Sequence, residues 1–426
     1  MLLDRTIAPD FKIINEINLP QAKSHLLDNG IPLHVINIGD QPVIRLEVIF
    51  DAGNWYERKK GASFFAIKML SEGTSNLTSS EISEAFDRIG AFIDMTHSSD
   101  RAVIVVYCLS RFLPEVLSLV GGLIQDSVFP EKELNDLRNI TLQNLKVNKE
   151  KTAYLASTAM RAALFGENHP YGQNQEEETI QTLPEADIKA HFNHFIKNGK
   201  KTIVLAGQVG EADVLSVNAF FGQVQHADQP EEVAHPIEME YAGKQILVEK
   251  EDSVQSSIRI GRRLFTRHHP DYFRMLVTNE ILGGYFGSRL MKNIREEKGL
   301  TYGISSNVIT LGKEGYFMIG TDVKKEFTQQ TIDEIKKEIY RLQTEPVGEE
   351  ELTTVKNFMA GEFAGSLNTA FEVADRQKIL LLDNLPSDFF NRYIDNIHAT
   401  TAEDIIYVAN TYLQPADMVE VVVGGK

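Results

Sequence analysis

A single cysteine, Cys108, stands in 426 residues. Internal disulfides and thiolate metal cages are therefore excluded. It lies in the strand-like run Arg101–Ser110 with no local histidine to act as base, and reads as a small buried hydrophobe. Proline is scarce at 14 residues, which excludes a low-complexity or fibrous chain. Long apolar runs are missing: stretches such as Ala102–Leu109 fall far short of the ~20 residues that cross a bilayer. No apolar signal core follows Asp4 and Arg5, so the expected location is the cytoplasm, or the periplasm if a leader has been removed. Cations are in deficit, with 43 Lys and Arg against 60 Asp and Glu and a formal net charge of −17. Nucleic acid and anionic membrane are poor partners for such a chain, because phosphate contacts need clustered cations.

What is present is a globular composition, 42% hydrophobic and 24% charged, in a length that suits two or three domains. Its pattern occurs twice. Pro42–Asp51 (PVIRLEVIFD) is a β-branched strand, and an apolar helical pattern over 62–70 stops at Gly73. Thr78-Ser79-Ser80-Glu81 is a capping-box signature that opens a helix to about Ile89. Strands are predicted over 91–96 and 101–110, helices over 114–125 and 131–149, and a short strand at Thr202–Gly207 (TIVLAG). The second half repeats the order: strand 255–261, helices 272–282 and 287–298, strands 300–306 and 315–321, helices 326–343 and 348–363. Val48 matches Ile258 and Glu133 matches Glu351, a repeat of roughly 210 residues. The predicted class is α+β: two tandem homologous α/β units, each a mostly antiparallel sheet packed with helices. Expected boundaries are 1–223 and 241–426. The linker at 224–240 (VQHADQPEEVAHPIEME) has two prolines, several acids and no periodicity.

Three stretches carry a resemblance: Gly61–Thr74 (GASFFAIKMLSEGT), Phe165–Gly172 (FGENHPYG) with 188–207 after it, and Gly283–Ser306 (GGYFGSRLMKNIREEKGLTYGISS). With the tandem halves they resemble the pitrilysin and processing-peptidase family of inverted-motif zinc peptidases, over nearly the whole chain. The resemblance implies paired α/β units that clamp a peptide and, in active members, H-x-x-E-H on the first helix. Residues i, i+3 and i+4 share a helix face there, so two histidines hold zinc while the glutamate acts on its water. A glutamate on a later helix is the third ligand. Anchored on Met69-Leu70 and Glu72-Gly73-Thr74, those positions fall at Phe64, Ile67 and Lys68; anchored on Arg138, the third falls at Asn144. Phe64 and Ile67 offer no lone pair, Lys68 is a cation that repels Zn²⁺, and Asn144 is neutral. Phe64 and Ile67 read as helix-face core packing and Lys68 as a snorkelling side chain. No zinc chemistry is expected of this half and no cofactor of this chain.

Other histidines read as structural. His191 and His194, three apart on a helical pattern, suit a half-exposed polar face better than a metal site. His268 and His269 precede Pro270 in a turn, and His169 belongs to the His-Pro-Tyr-Gly loop. In the second half the resemblance places the family's substrate-binding arginine and tyrosine at Arg295 and Tyr302, on either side of Gly299, which fits a left-handed helix stop. A guanidinium offers forked donors to a peptide carbonyl, and a phenol donates to a developing oxyanion. Without the resemblance, Arg295 reads as an exposed helical residue paired with a glutamate, and Tyr302 as a strand aromatic filling the core. Gly283–Gly287 is neither a long glycine-rich substrate loop nor a phosphate-binding loop, so presequence recognition is not implied.

An intact Arg/Tyr pair with an erased zinc motif implies the non-catalytic subunit of a heterodimeric zinc peptidase. Such a chain is inactive alone and presents Arg295 and Tyr302 to an extended peptide near the zinc of a homologous partner. Two alternatives are a structural subunit like the core proteins of a respiratory complex and a homodimeric peptide-binding protein without catalysis.

Overall fold

The computed structural model describes residues 13–227 and 243–425, with Thr6, Val233 and His235. Most of the expected linker at 224–240 lies outside the described residues. Strands β1 (Lys23–Leu26), β2 (Pro32–Asn37), β3 (Val43–Phe50), β4 (Phe92–His97), β5 (Ala102–Leu109) and β6 (Lys201–Gly207) form one sheet in the order β1-β2-β6-β3-β5-β4. Strands β7 (Gln245–Glu249), β8 (Gln255–Leu264), β9 (Thr301–Thr310), β10 (Gly315–Lys324) and β11 (Val419–Gly424) form a second in the order β7-β11-β8-β10-β9. Without β1 the two orders coincide. In each, the first strand runs parallel to the last, and the remaining pairs are antiparallel. The repeat in the sequence is thus a repeat of topology, in an α+β fold.

The first half carries helices α1 (Ala62–Lys68), α2 (Ser79–Arg88), α3 (Leu113–Asp126), α4 (Glu131–Lys149), α5 (Thr152–Phe165), α6 (Glu177–Thr182), α7 (Glu185–His191) and α8 (Glu211–Phe221). The second carries α9 (Tyr272–Asn279), α10 (Thr328–Thr344), α11 (Glu349–Gly365), α12 (Ala370–Leu382), α13 (Tyr393–Ala399) and α14 (Ala402–Tyr412). The capping box opens α2 as its sequence dictates: Glu81 takes the Thr78 backbone N–H at 2.9 Å while Thr78 takes that of Glu81. The helix predicted from residue 287 begins at about Arg289 and is π-wound over Met291–Glu297. No helix among the described residues is long and apolar enough to cross a membrane.

Strands β6 and β11 are buried at every residue, which suits the apolar runs Ile203–Gly207 and Val421–Val423 within them. Ile203 and Leu205 face the first half's own core, whereas Val204 and Ala206 join Ile36 and Ile49 on the opposite face. That second face is covered by α12, through Val373, Ala374 and Leu380, a helix of the other half. The exchange is mutual. Val419, Val421 and Val423 of β11 pack against Ala156, Met160 and Leu164 of α5. An arginine fixes each docked helix. Buried Arg45 on β3 reaches Asp375 of α12 at 2.8 Å and the Phe371 carbonyl at 3.0 Å, and Lys378 reaches buried Glu47 at 2.7 Å. Arg259 on β8 donates to Ser157 Oγ of α5 at 3.2 Å, and Ser257 bonds Thr152 at 2.9 Å.

Candidate functional site

On α1 the apolar positions Ala62, Phe65, Ala66 and Ile67 enter the first core, with Met69 and Leu70 after them. Ile67 is fully buried; Phe64 and Lys68 form a half-buried face. Phe64 stands edge-on to His97 of β4, ring centres 5.8 Å apart. Lys68 does not snorkel to bulk water. Its ammonium donates to the Met95 carbonyl of β4, the last strand of its sheet. Asn144 is exposed on α4 and makes no hydrogen bond to α1 among the described residues. This donor set does not fit a zinc ion. Phe64 and Ile67 have no donor atom and Lys68 brings like charge, and no group of three or more His, Cys, Asp or Glu among the described residues is arranged to hold a metal.

Beneath Phe64 lies a polar cluster that no local pattern in the sequence reveals. Buried Ser63 Oγ sits 2.5 Å from Glu57 Oε1 and 2.6 Å from His97 Nε2. Glu57 also accepts the backbone N–H groups of Ser63 at 2.9 Å and Gly61 at 3.2 Å, and the Gln173 amide at 3.0 Å. Burial, and then the charge of Lys68, hold His97 down at about 4. Ser63 Oγ also lies 3.2 Å from Asn54 Oδ1, so the hydroxyl sits among a carboxylate, an amide oxygen and a neutral imidazole. Burial raises the Glu57 carboxyl despite these bonds.

The other histidines are held by structure. His191 is buried, not half-exposed as its spacing suggests, and its Nε2 lies 3.0 Å from the Ala52 carbonyl; His194 is exposed. His169 Nδ1 accepts from Tyr171 N at 3.1 Å, His268 Nε2 lies 2.7 Å from the Asp383 carbonyl, and His269 stacks on Phe265 at 4.0 Å. Cys108 is buried, and burial pushes its thiol up to about 11, far from reactive.

In the second half, Arg295 is on the last turn of the 291–297 helix and Tyr302 at the start of β9, the outermost strand. Gly299 turns the chain between them with φ 63°, and the Leu300 N–H returns to the Ile294 carbonyl at 3.0 Å, closing a Schellman-type stop. Gly283 lets the preceding helix touch β9, because a Cβ there would come 2.7 Å from Ser306 N. Neither ordinary role holds for the pair. Tyr302 is 95% exposed and fills no core. Arg295 has no carboxylate partner among the described residues; its guanidinium lies 4.8 Å from the ring centre of exposed Phe286. The structure leaves a phenol and a guanidinium accessible on either side of one turn.

Two family profiles match. Residues 35–172 match "Insulinase (Peptidase family M16)", and residues 182–359 match "Peptidase M16 inactive domain". An uncharacterized zinc protease, YmxG, of Bacillus subtilis is 23% identical over 351 residues, covering 82% of this chain and 85% of that one. The β subunit of the Rattus norvegicus mitochondrial-processing peptidase is 21% identical over 411 residues, 91% of this chain and 82% of its own. Cytochrome b-c1 complex subunit 1 of Bos taurus is 22% identical over 273 residues, 63% of this chain and 56% of its own. Among solved structures, a peptidase M16 inactive domain from Pseudomonas fluorescens superposes with a TM-score of 0.84 at 24% identity, covering 95% of this chain and 98% of that one. A Helicobacter pylori protease does so with 0.86 at 18%, covering 96% and 100%. With both halves matched in order and the duplicated fold reproduced, the chain belongs to the M16 peptidase family.

Proposed function

We propose that this chain is the non-catalytic subunit of a heterodimeric zinc peptidase, presenting Arg295 and Tyr302 to an extended peptide held near the zinc of a homologous partner. The observation that carries this reading is the state of Tyr302: a tyrosine almost wholly in solvent, beside an arginine with no carboxylate, suits groups whose partner arrives from outside. The residues at Phe64, Ile67 and Lys68 support the assignment of the metal to the other chain. Arg295 forks onto a substrate carbonyl, and Tyr302 donates to the oxyanion as it forms.

The test is reconstitution. The purified chain is expected to carry no stoichiometric zinc by elemental analysis and to cleave no peptide; mixed with a zinc-bearing homologue it is expected to form a 1:1 complex that does. Zinc-dependent cleavage by the homogeneous chain alone sinks the reading. A second reading is favoured by the similarity to cytochrome b-c1 complex subunit 1: a structural subunit of a larger assembly. A stable complex with a zinc-bearing homologue that shows no cleavage supports that one instead.

A further inference from the structure

Helix α5 has two faces at work. Ala156, Met160 and Leu164 cover the second sheet. Tyr154 and Arg161, seven residues apart and so on one side of the helix, line a cavity of about 250 Å³ whose wall includes Phe64, Phe65, Ile180 and His97. Neither Arg295 nor Tyr302 borders it. Arg161 is half-buried, and its one polar partner among the described residues is the Asn174 amide oxygen at 3.3 Å. Other shielded arginines of this acidic chain find carboxylates: Arg45 meets Asp375 at 2.8 Å, Arg267 meets Asp383 at 2.6 Å, and Arg289 meets Glu351 at 2.8 Å. Arg161 has none among the described residues. The Tyr154 hydroxyl likewise has no hydrogen-bond partner among them. At the rim, Lys60 already neutralises Glu176, so that carboxylate does not compete.

A forked cation and a phenol on one helix side, both without an acidic partner among the described residues, and apolar Phe64, Phe65 and Ile180 in the same cavity make a complementary set. A guanidinium fork pairs with two oxygens of a carboxylate or a phosphate, and apolar side chains in the same small cavity favour the singly charged carboxylate on an apolar group. We propose that this cavity binds a carboxylate that carries an apolar group, with the carboxylate on Arg161 and Tyr154 and the apolar group on Phe64, Phe65 and Ile180. The volume is below the ~300–1,000 Å³ of pockets for drug-sized ligands, so the bound group is the size of one residue. The carboxylate belongs either to a peptide C-terminus or to a small organic acid. Phe64 thus acquires a use: where the family resemblance puts a metal ligand, this chain has an aromatic wall. The site belongs to one chain and needs no partner.

Calorimetric titration of the isolated full chain tests this with four probes: N-acetyl-phenylalanine, its amide, a pentapeptide ending in phenylalanine, and that peptide's C-terminal amide. At least one acid is expected to bind about tenfold or more tightly than its amide, the preference that a charge-assisted fork supplies. Comparable binding of the pentapeptide acid assigns the site to peptide termini; binding of the small acid alone assigns it to free organic acids. Arg161→Gln is expected to erase the preference with the melting temperature unchanged, and Arg161→Lys, which keeps the charge without the fork, to leave part of it. Equal affinity for acid and amide, no binding of either acid up to about 10 mM, or an undiminished preference in a folded Arg161→Gln chain overturns the proposal.

Discussion

Strands β4 and β9 occupy the same outermost place in their two sheets, yet they are finished in opposite ways. An outermost strand offers unpaired backbone groups to any extended peptide. At β4 the chain blunts that offer itself, with Lys68 on the Met95 carbonyl and Phe64 against His97. At β9 Tyr302 stands in solvent, and Arg295 has an aromatic neighbour but no acid among the described residues. Duplication made the two places equivalent, and side chains made them different. At the edge of one sheet a lysine and a phenylalanine are turned onto the strand, and at the edge of the other a tyrosine stands out in solvent.

The largest effect is expected from breaking what the halves share. Arg45→Met leaves buried Glu47 with Lys378 as its remaining cation and is expected to lower stability by about 3–5 kcal/mol, measured by urea unfolding. Asp375→Asn, at a half-exposed partner, is expected to cost much less.

Breaking what differs comes next. In the reconstituted complex, Tyr302→Phe is expected to lower kcat by about 10²-fold, while the melting temperature of the chain stays put. Arg295→Ala is expected to change both kcat and KM. Unchanged turnover in both variants, with the heterodimer intact, removes the pair from the mechanism.

Acid sharpens the contrast from the closed side. His97 and His191 are held at about 4 by burial, against 6.5 when exposed. As pH falls through 6.5 the unfolded chain takes up protons that the folded chain refuses, so stability declines until about pH 4. Each histidine contributes on the order of 3 kcal/mol to that decline. Glu57, raised by burial, works in the opposite direction, since the folded chain takes its proton first. A melting temperature that is flat from pH 7 to 4.5, or a slope no shallower in His97→Gln, contradicts this account. Lys68→Met, which removes one charged donor from the β4 carbonyl, is expected to cost about 2 kcal/mol. It is expected to leave zinc content at nil.

Local physics wrote much of this into the sequence. The Thr78–Glu81 box, the edges of α4 and the glycine stop at Gly299 depend on residues within a turn of one another, and all are where the pattern puts them. Helices α5 and α12 were invisible for the converse reason. Their apolar residues answer to a sheet in the opposite half, so neither reads as a simple amphipathic stripe over its own core. The Ser63–Glu57–His97 cluster likewise spans 40 positions of chain and forms only when β4 lies beside α1. Arg295 and Tyr302 are singled out in the sequence only by the family resemblance. Their exposure, which no spacing encodes, is what separates them from a surface ion pair and a core aromatic.

The mutual docking of α5 and α12 carries a consequence for how the molecule holds together. Either half alone is a sheet with one bare apolar face, and the helix that fits the face is at a distance in the chain. In topological terms the molecule is a domain-swapped dimer whose two subunits share one polypeptide. A half-length chain could satisfy both faces only by trading helices with a second copy of itself. A chain nicked between the halves is therefore expected to stay associated on a sizing column, held by both docked helices and by the polar contacts between the halves.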